Sequence, residues 1–161
     1  MRKEDFLHQI MPSAMQAMQR YGILASVLVA QAIIESKWGN SVYGNNIFGL
    51  KDRCMERSTL EFVDGVWVRV LKNFRVYKDW EGSVHDYAKS LSTSPEYSQL
   101  LYEMDYRKAC TMIQDIAGMA AAGYADKLIC LIEENHLYQY DRVTTEGLSH
   151  FEMQGMSMRS V

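Results

Sequence analysis

Residues 25–38, ASVLVAQAIIESKW, constrain this chain more than any other stretch. Val27, Leu28, Ala30, Ile33 and Ile34 recur at helical spacing but leave no continuous polar face. A helix that is apolar on more than one side has to be surrounded. The spacing therefore predicts a central helix with other elements packed around it. The apolar run from Ile23 to Ile34 is broken by Ser26 and Gln31 and is too short to span a bilayer, so no membrane insertion is expected. Ser26 is the expected N-cap and Gly39 the expected C-terminal stop.

The flanking segments supply what must cover it. Residues 4–20 read as an amphipathic helix, with Phe6, Leu7, Ile10, Ala14, Met15 and Met18 on one stripe. Pro12 is expected to kink or split it, and Tyr21-Gly22 to end it. Residues 40–57 read as loop. In TLEFVDGVWVRV, residues 59–70, the period switches to two around an Asp64-Gly65 turn of type I′. That turn sets Val63 opposite Val66, Phe62 opposite Trp67 and Glu61 opposite Val68. A further break falls at Lys72-Asn73. Helical periodicity returns over 80–92, then from Pro95 to about Tyr102, then over 105–120 and 124–138. The fold class expected is mainly α, an α+β arrangement of helices with one small β-hairpin lobe. Residues 1–140 make one domain. Residues 141–161 form a polar tail whose Met153, Met156 and Met158 show no helical stripe.

Composition narrows the function classes. Hydrophobic residues make 48% of the chain and charged residues 23%, the balance of a globular protein. A net charge of -3 argues against nucleic acid as the main partner, since such proteins carry a basic face. Cys54, Cys110 and Cys130 form neither a disulfide framework nor a zinc pattern and read as reduced, mostly buried thiols. The N-terminus has no apolar run of signal-peptide length. Synthesis in the cytoplasm, with release by lysis or another route, is the expectation that follows.

Two carboxylates are candidates for chemistry. Glu35 closes the apolar helix, with Trp38 just beyond it. A carboxyl in apolar surroundings has its charged form disfavoured and keeps a proton near neutrality, as a glycosidase general acid must. On spacing alone, a solvated Glu at a helix end fits as well. Glu61 lies on the valine face of the hairpin and either looks over a cleft or serves as an edge-strand charge. Aromatic residues, Trp38, Phe48, Trp67, Phe74, Tyr77, Trp80, Tyr87 and Tyr124, are spread around these acids in sequence and suit either sugar stacking or core packing. There is no Gly-rich phosphate loop and no G-x-S-x-G elbow.

Three segments in order carry a specific pattern: SVLVAQAIIESKWGNS, NNIFGLK at 45–51 and FRVYKDWEGSVHDYAKSL at 74–91. Together they resemble the glucosaminidase domains of glycoside hydrolase family 73, over roughly residues 5–138. The resemblance implies a lysozyme-like fold and action on peptidoglycan glycan strands. It implies that Glu35, in E-S-x-W-G, is the general acid, and that Glu61, shortly before the lobe's turn, is the second carboxylate. Tyr124, in G-Y-A, would line the active site. Trp38, Asn46, Phe48, Phe74 and Tyr77 fall on segments expected to bind substrate. In this chain Gly123-Tyr124-Ala125 runs directly into Asp126-Lys127-Leu128, without the T-D-P stretch that often follows in the family.

The function expected is cleavage of the β-1,4 bond between N-acetylglucosamine and N-acetylmuramic acid, with no metal or organic cofactor. The alternatives are a lytic transglycosylase with a single catalytic Glu, and a non-catalytic wall-binding or assembly module.

Overall fold

The structure, a computed structural model, describes residues 1–51, 57–72, 74–118 and 122–142. Five α-helices and one β-hairpin lie in these stretches: α1 (Lys3–Tyr21), α2 (Ala25–Ser36), β1 (Arg57–Val63), β2 (Val66–Lys72), α3 (Trp80–Thr93), α4 (Tyr106–Ala117) and α5 (Tyr124–Glu134). Two 3-10 turns, Pro95–Leu100 and Leu137–Tyr140, link and end the helical part. Cys54, Asn73 and the stretch 143–161 with its three methionines lie outside the described residues.

Helix α2 is the centre, as its all-round apolarity requires. Ala25 through Ile33 are all buried, and α1, α4, α5 and the last 3-10 turn pack around it. Phe6, Ile10, Ala14 and Met18 of α1, Val84 and Ala88 of α3, Ala109 and Ile113 of α4, and Leu128 and Ile132 of α5 supply much of the rest of the core. Pro12 does not split α1, which runs unbroken across it. Asp79 and Asp105 cap α3 and α4 by accepting from backbone N–H groups of their first turns. Among the described residues no helix is long and apolar enough to cross a membrane. Cys110 is buried, whereas Cys130 is exposed, against the expectation of buried thiols.

The hairpin pairs as its turn dictates, with Glu61 opposite Val68, Phe62 opposite Trp67 and Val63 opposite Val66. Asp64 and Gly65 both adopt positive φ, 51° and 82°, as a type I′ turn demands. The ribbon is longer than its alternating segment, reaching from Arg57 to Lys72. An antiparallel bridge between Lys51 and Phe74 ties its root to the helical part. Leu60, Phe62 and Trp67 on one face and Val63, Val66 and Val68 on the other are exposed.

Ser26 is not the N-cap of α2; Leu24 holds that position. The Ser26 N–H and Oγ both donate to Asp141, at 2.8 and 2.6 Å, so the cap comes from a residue 115 positions away. Burial pushes the Asp141 carboxyl up to about 6, against the opposing pull of the Ser26 hydrogen bonds. A carboxyl held above its ordinary 3.8 binds its proton more tightly in the folded chain than in the unfolded one. Its contribution to stability is fully present below about 3.8 and is lost as pH rises through about 6. Urea unfolding of wild type and Asp141→Asn at pH 4 and pH 7 reads this directly. Wild type is expected to gain on the variant by about 2–3 kcal/mol at the lower pH. An equal difference at both pH values would show that Asp141 titrates normally.

Candidate active site

The end of α2 sets the geometry of the site. Ser36, fully buried, donates from Oγ to the Ala32 carbonyl at 2.6 Å and accepts from the Gly39 N–H at 2.9 Å. That hook turns the chain through three successive left-handed residues, Lys37, Trp38 and Gly39, with φ of 50°, 58° and 75°. Lys37, rather than Gly39, is the C-cap. Gly39 is required on two counts, its φ and its neighbours: a Cβ there would sit 2.9 Å from the Trp80 ring and 3.0 Å from that of Phe6.

Beyond this turn the chain lays down one wall of a groove. Glu35 opens onto a space of about 500 Å³ lined also by Val42, Tyr43, Asn46, Phe48 and Phe74. Glu35 keeps contact with solvent, yet the protein around it pushes its pKa above the ordinary 4.5 by desolvation. The shift favours the protonated form at a position that faces the groove.

The wall is built by a polar staple. Asn46 is buried, and its Nδ2 donates to the carbonyls of Leu50 and Arg75 at 2.8 and 3.0 Å. Its Oδ1 accepts from the Leu50 N–H at 3.0 Å. Asn45 adopts positive φ and donates to the carbonyls of Tyr77 and Lys78. The Ile47 N–H is satisfied by Ser83 Oγ on α3. Phe48 stacks on Tyr87 of α3, with centroids 4.0 Å apart and planes within 15°. These links fasten the 45–50 loop to 74–78 and to α3, so Phe48 and Phe74 reach the groove from a rigid backing.

Not every expected residue faces it. Trp38 packs edge-on against Phe6 at 5.7 Å, with Lys3 Nζ over its ring at 4.9 Å. The left-handed turn swings the indole back onto α1 instead of toward the groove. Tyr77 donates its hydroxyl to Asp86 at 2.5 Å, and Arg75 Nη1 reaches the same Asp86 oxygen at 2.7 Å. Tyr77 is spent on pinning the strand-like FRVY segment to α3; burial first, then this bond, raises its pKa. Glu61 lies half-buried on β1, on the lobe that leaves the groove at Lys51 and returns at Phe74.

Tyr124 begins α5, where the Ala125 N–H is satisfied by Gln114 Oε1 at 2.9 Å. Desolvation raises the Tyr124 pKa, and the nearby Glu35 charge adds to the rise. Tyr87 is likewise raised by burial and by Tyr124, Tyr97 and Glu35. Glu35, Tyr87 and Tyr124 therefore share one electrostatic neighbourhood, with Gln31 of α2 among them.

Comparison with known proteins gives the chain a family and the fold its neighbours. The model of the Glucosaminidase family, described as mannosyl-glycoprotein endo-beta-N-acetylglucosaminidase, matches residues 11–137. Exo-glucosaminidase LytG of Bacillus subtilis is 31% identical, over 88% of this chain and 54% of LytG. Peptidoglycan hydrolase FlgJ of Vibrio parahaemolyticus is 32% identical, over 76% of this chain and 42% of FlgJ. The chain thus spans about half the length of these curated relatives. Among solved structures, a C-terminally truncated glycoside hydrolase domain from Salmonella typhimurium FlgJ superposes with a TM-score of 0.71 at 26% identity, covering 83% of this chain and 97% of that domain.

Proposed function

Because the chain belongs to the Glucosaminidase family, a family of glycoside hydrolases, we propose that it cleaves peptidoglycan glycan strands at the β-1,4 bond between N-acetylglucosamine and N-acetylmuramic acid. The observation that carries this reading is Glu35: a carboxyl on a groove wall, with its pKa raised by desolvation. Glu35 donates its proton to the leaving oxygen as an oxocarbenium-like state develops at the sugar. Phe48, Phe74 and Asn46 shape the floor on which the sugar rests.

The second half of the reaction has two routes. In one, Glu61 takes a proton from a water that attacks the opposite face, giving inversion. In the other, the substrate's own acetamido oxygen attacks, with Tyr124 and Glu61 assisting. Both close without a metal or organic cofactor. In the same reading residues 1–140 carry the chemistry and 141–161 form the tail, whose first residue, Asp141, is fastened to Ser26 of the helical domain. The protein acts on the bacterial cell wall.

Digestion of purified walls followed by mass spectrometry of the fragments tests the assignment. Fragments of several lengths, ending in reducing N-acetylglucosamine, are the expected result. Reducing N-acetylmuramic acid would mark the other glycosidic bond, and an anhydro sugar a lytic transglycosylase. Single units released from one end would mark the exo mode for which LytG is named. Binding to walls with no fragments would leave a wall-binding module.

A further inference from the structure

The apolar side chains near the tip of the β-hairpin stand in the open. Phe62 and Trp67 face each other across the ribbon and are 63% and 66% exposed, and Leu60 beside them is 63% exposed. Paired residues, and residues two apart, share a face, so Leu60, Phe62, Trp67 and the exposed Arg69 form one side of the ribbon. The other side carries Glu61, Val63, Val66 and Val68. It is the more sheltered of the two, with Glu61 half-buried and Val63 and Val68 at 44% and 41% exposure. The Phe62 and Trp67 rings meet at 5.3 Å between centroids and 57° between planes. A face-to-face stack would hide one face of each ring, and this tilt does not. Open apolar ribbons invite aggregation and are normally blunted with charge, so a contiguous apolar face of this kind marks an interaction site.

The surroundings of this face select its occupant. The ribbon is continuous with the groove: Phe74, which lines the groove, is bridged to Lys51 at the ribbon's root. Two aromatic rings and a leucine offer on the order of 400 Å², about half of what each partner gives to a stable protein interface. That is too little for a stable dimer. Asp64 at the tip and a net charge of -3 oppose an anionic lipid surface. A sugar needs no such area, because the C–H face of a pyranose ring is apolar and matches one aromatic ring in width. Arg69 adds a cation suited to the carboxylates of peptide stems.

We propose that Leu60, Phe62, Trp67 and Arg69 form a second glycan-binding surface, outside the groove. Sugar rings of the wall rest on the aromatic pair, and stem carboxylates meet Arg69. The proposal rests on the reading above only for the wall as target. A glycan that reaches Glu61 from the groove lies on the other side of the ribbon. The sugars on the aromatic face therefore belong to another stretch of the wall: the groove cuts one stretch while the ribbon holds a second.

Co-sedimentation of the full chain with purified walls, and with chitin, tests this. Glu35→Gln in the background keeps the walls uncut. Chitin presents N-acetylglucosamine rings without peptide stems. Phe62→Ala combined with Trp67→Ala is expected to weaken binding to both about tenfold. Arg69→Gln is expected to weaken binding to walls about threefold and to leave binding to chitin unchanged. Melting temperatures are expected to stay within about two degrees, since the atoms removed are open to solvent.

Unchanged wall binding by the double variant, beside a wild type that cuts walls, overturns the proposal alone. So does a loss on walls without a loss on chitin, or a double variant that melts many degrees lower, which would mean that the rings are packed inside the protein. A dimer in sedimentation equilibrium, or binding to phosphatidylglycerol vesicles, that the double variant abolishes overturns it in favour of that occupant. Ring-dependent binding by a wild type that cuts nothing removes the catalytic reading and leaves the surface standing.

Discussion

Replacing Glu35 by Gln is expected to lower lysis of purified walls by about 10²–10⁴-fold, the worth of a positioned general acid. The amide keeps the shape of the side chain and the groove but has no proton to give. Stability should not suffer. Desolvation raises the Glu35 pKa in the folded chain, so its ionised form is the one that folding disfavours. A neutral amide at that position is expected to leave the melting temperature at pH 7 unchanged or slightly higher. The same shift fixes the shape of the pH profile. The reactive form is the protonated one, so kcat/KM falls as pH rises through a pKa above the ordinary 4.5. Turbidity of a wall suspension measures the first effect and a thermal melt the second. Retention of more than about a tenth of the activity would remove Glu35 as the acid, since no general acid is worth so little.

The second large effect belongs to Glu61. Glu61→Gln is expected to lower activity by at least about tenfold, and sodium azide then tells which half of the reaction it serves. A base that activates water is bypassed by an anion needing no deprotonation. Rescue by azide, with an α-glycosyl azide as product, assigns Glu61 as an inverting base. No rescue, together with tight binding of a thiazoline-type inhibitor, assigns the attack to the acetamido group. A variant as active as wild type would take Glu61 out of the site. Glu61 sits on the ribbon and is not among the described residues lining the groove beside Glu35, which makes this the more exacting test of the two.

The parts of this fold that were legible in the sequence are those with a local cause. The burial of α2 follows from a helix without a polar face. The pairing of Glu61 with Val68 follows from Asp64-Gly65 and a period of two. Glu35 was legible as a carboxyl at the end of an apolar helix, but spacing alone fitted a solvated Glu as well, and it was the resemblance that singled it out. What stayed hidden has a distant cause. The cap on Ser26 arrives from Asp141, which no local pattern announces. Trp38 points away from the groove because Ser36 ties off a left-handed turn, and aromatic spacing carries no information about that turn. Asn46 and Tyr77 sit in segments that build the site, but their polar atoms are committed to Leu50, Arg75 and Asp86. Motif position located the segment in each case; only the hydrogen bonds say which residues remain available to a ligand.

The hook at the end of α2 separates two kinds of inheritance that the E-S-x-W-G letters run together. Ser36, Trp38 and Gly39 are held to their identities by the turn: a hydroxyl bonded on both sides, an indole against Phe6, and a backbone with no room for a Cβ. Glu35 takes no part in that bonding and lines the groove instead. If Glu35 is the acid proposed above, one codon change there would silence a descendant of this chain and leave its shape, its groove and the other three specified residues of the pattern intact. The segment as a whole is therefore a certificate of architecture, and under the proposed function the chemistry is certified by the single glutamate alone.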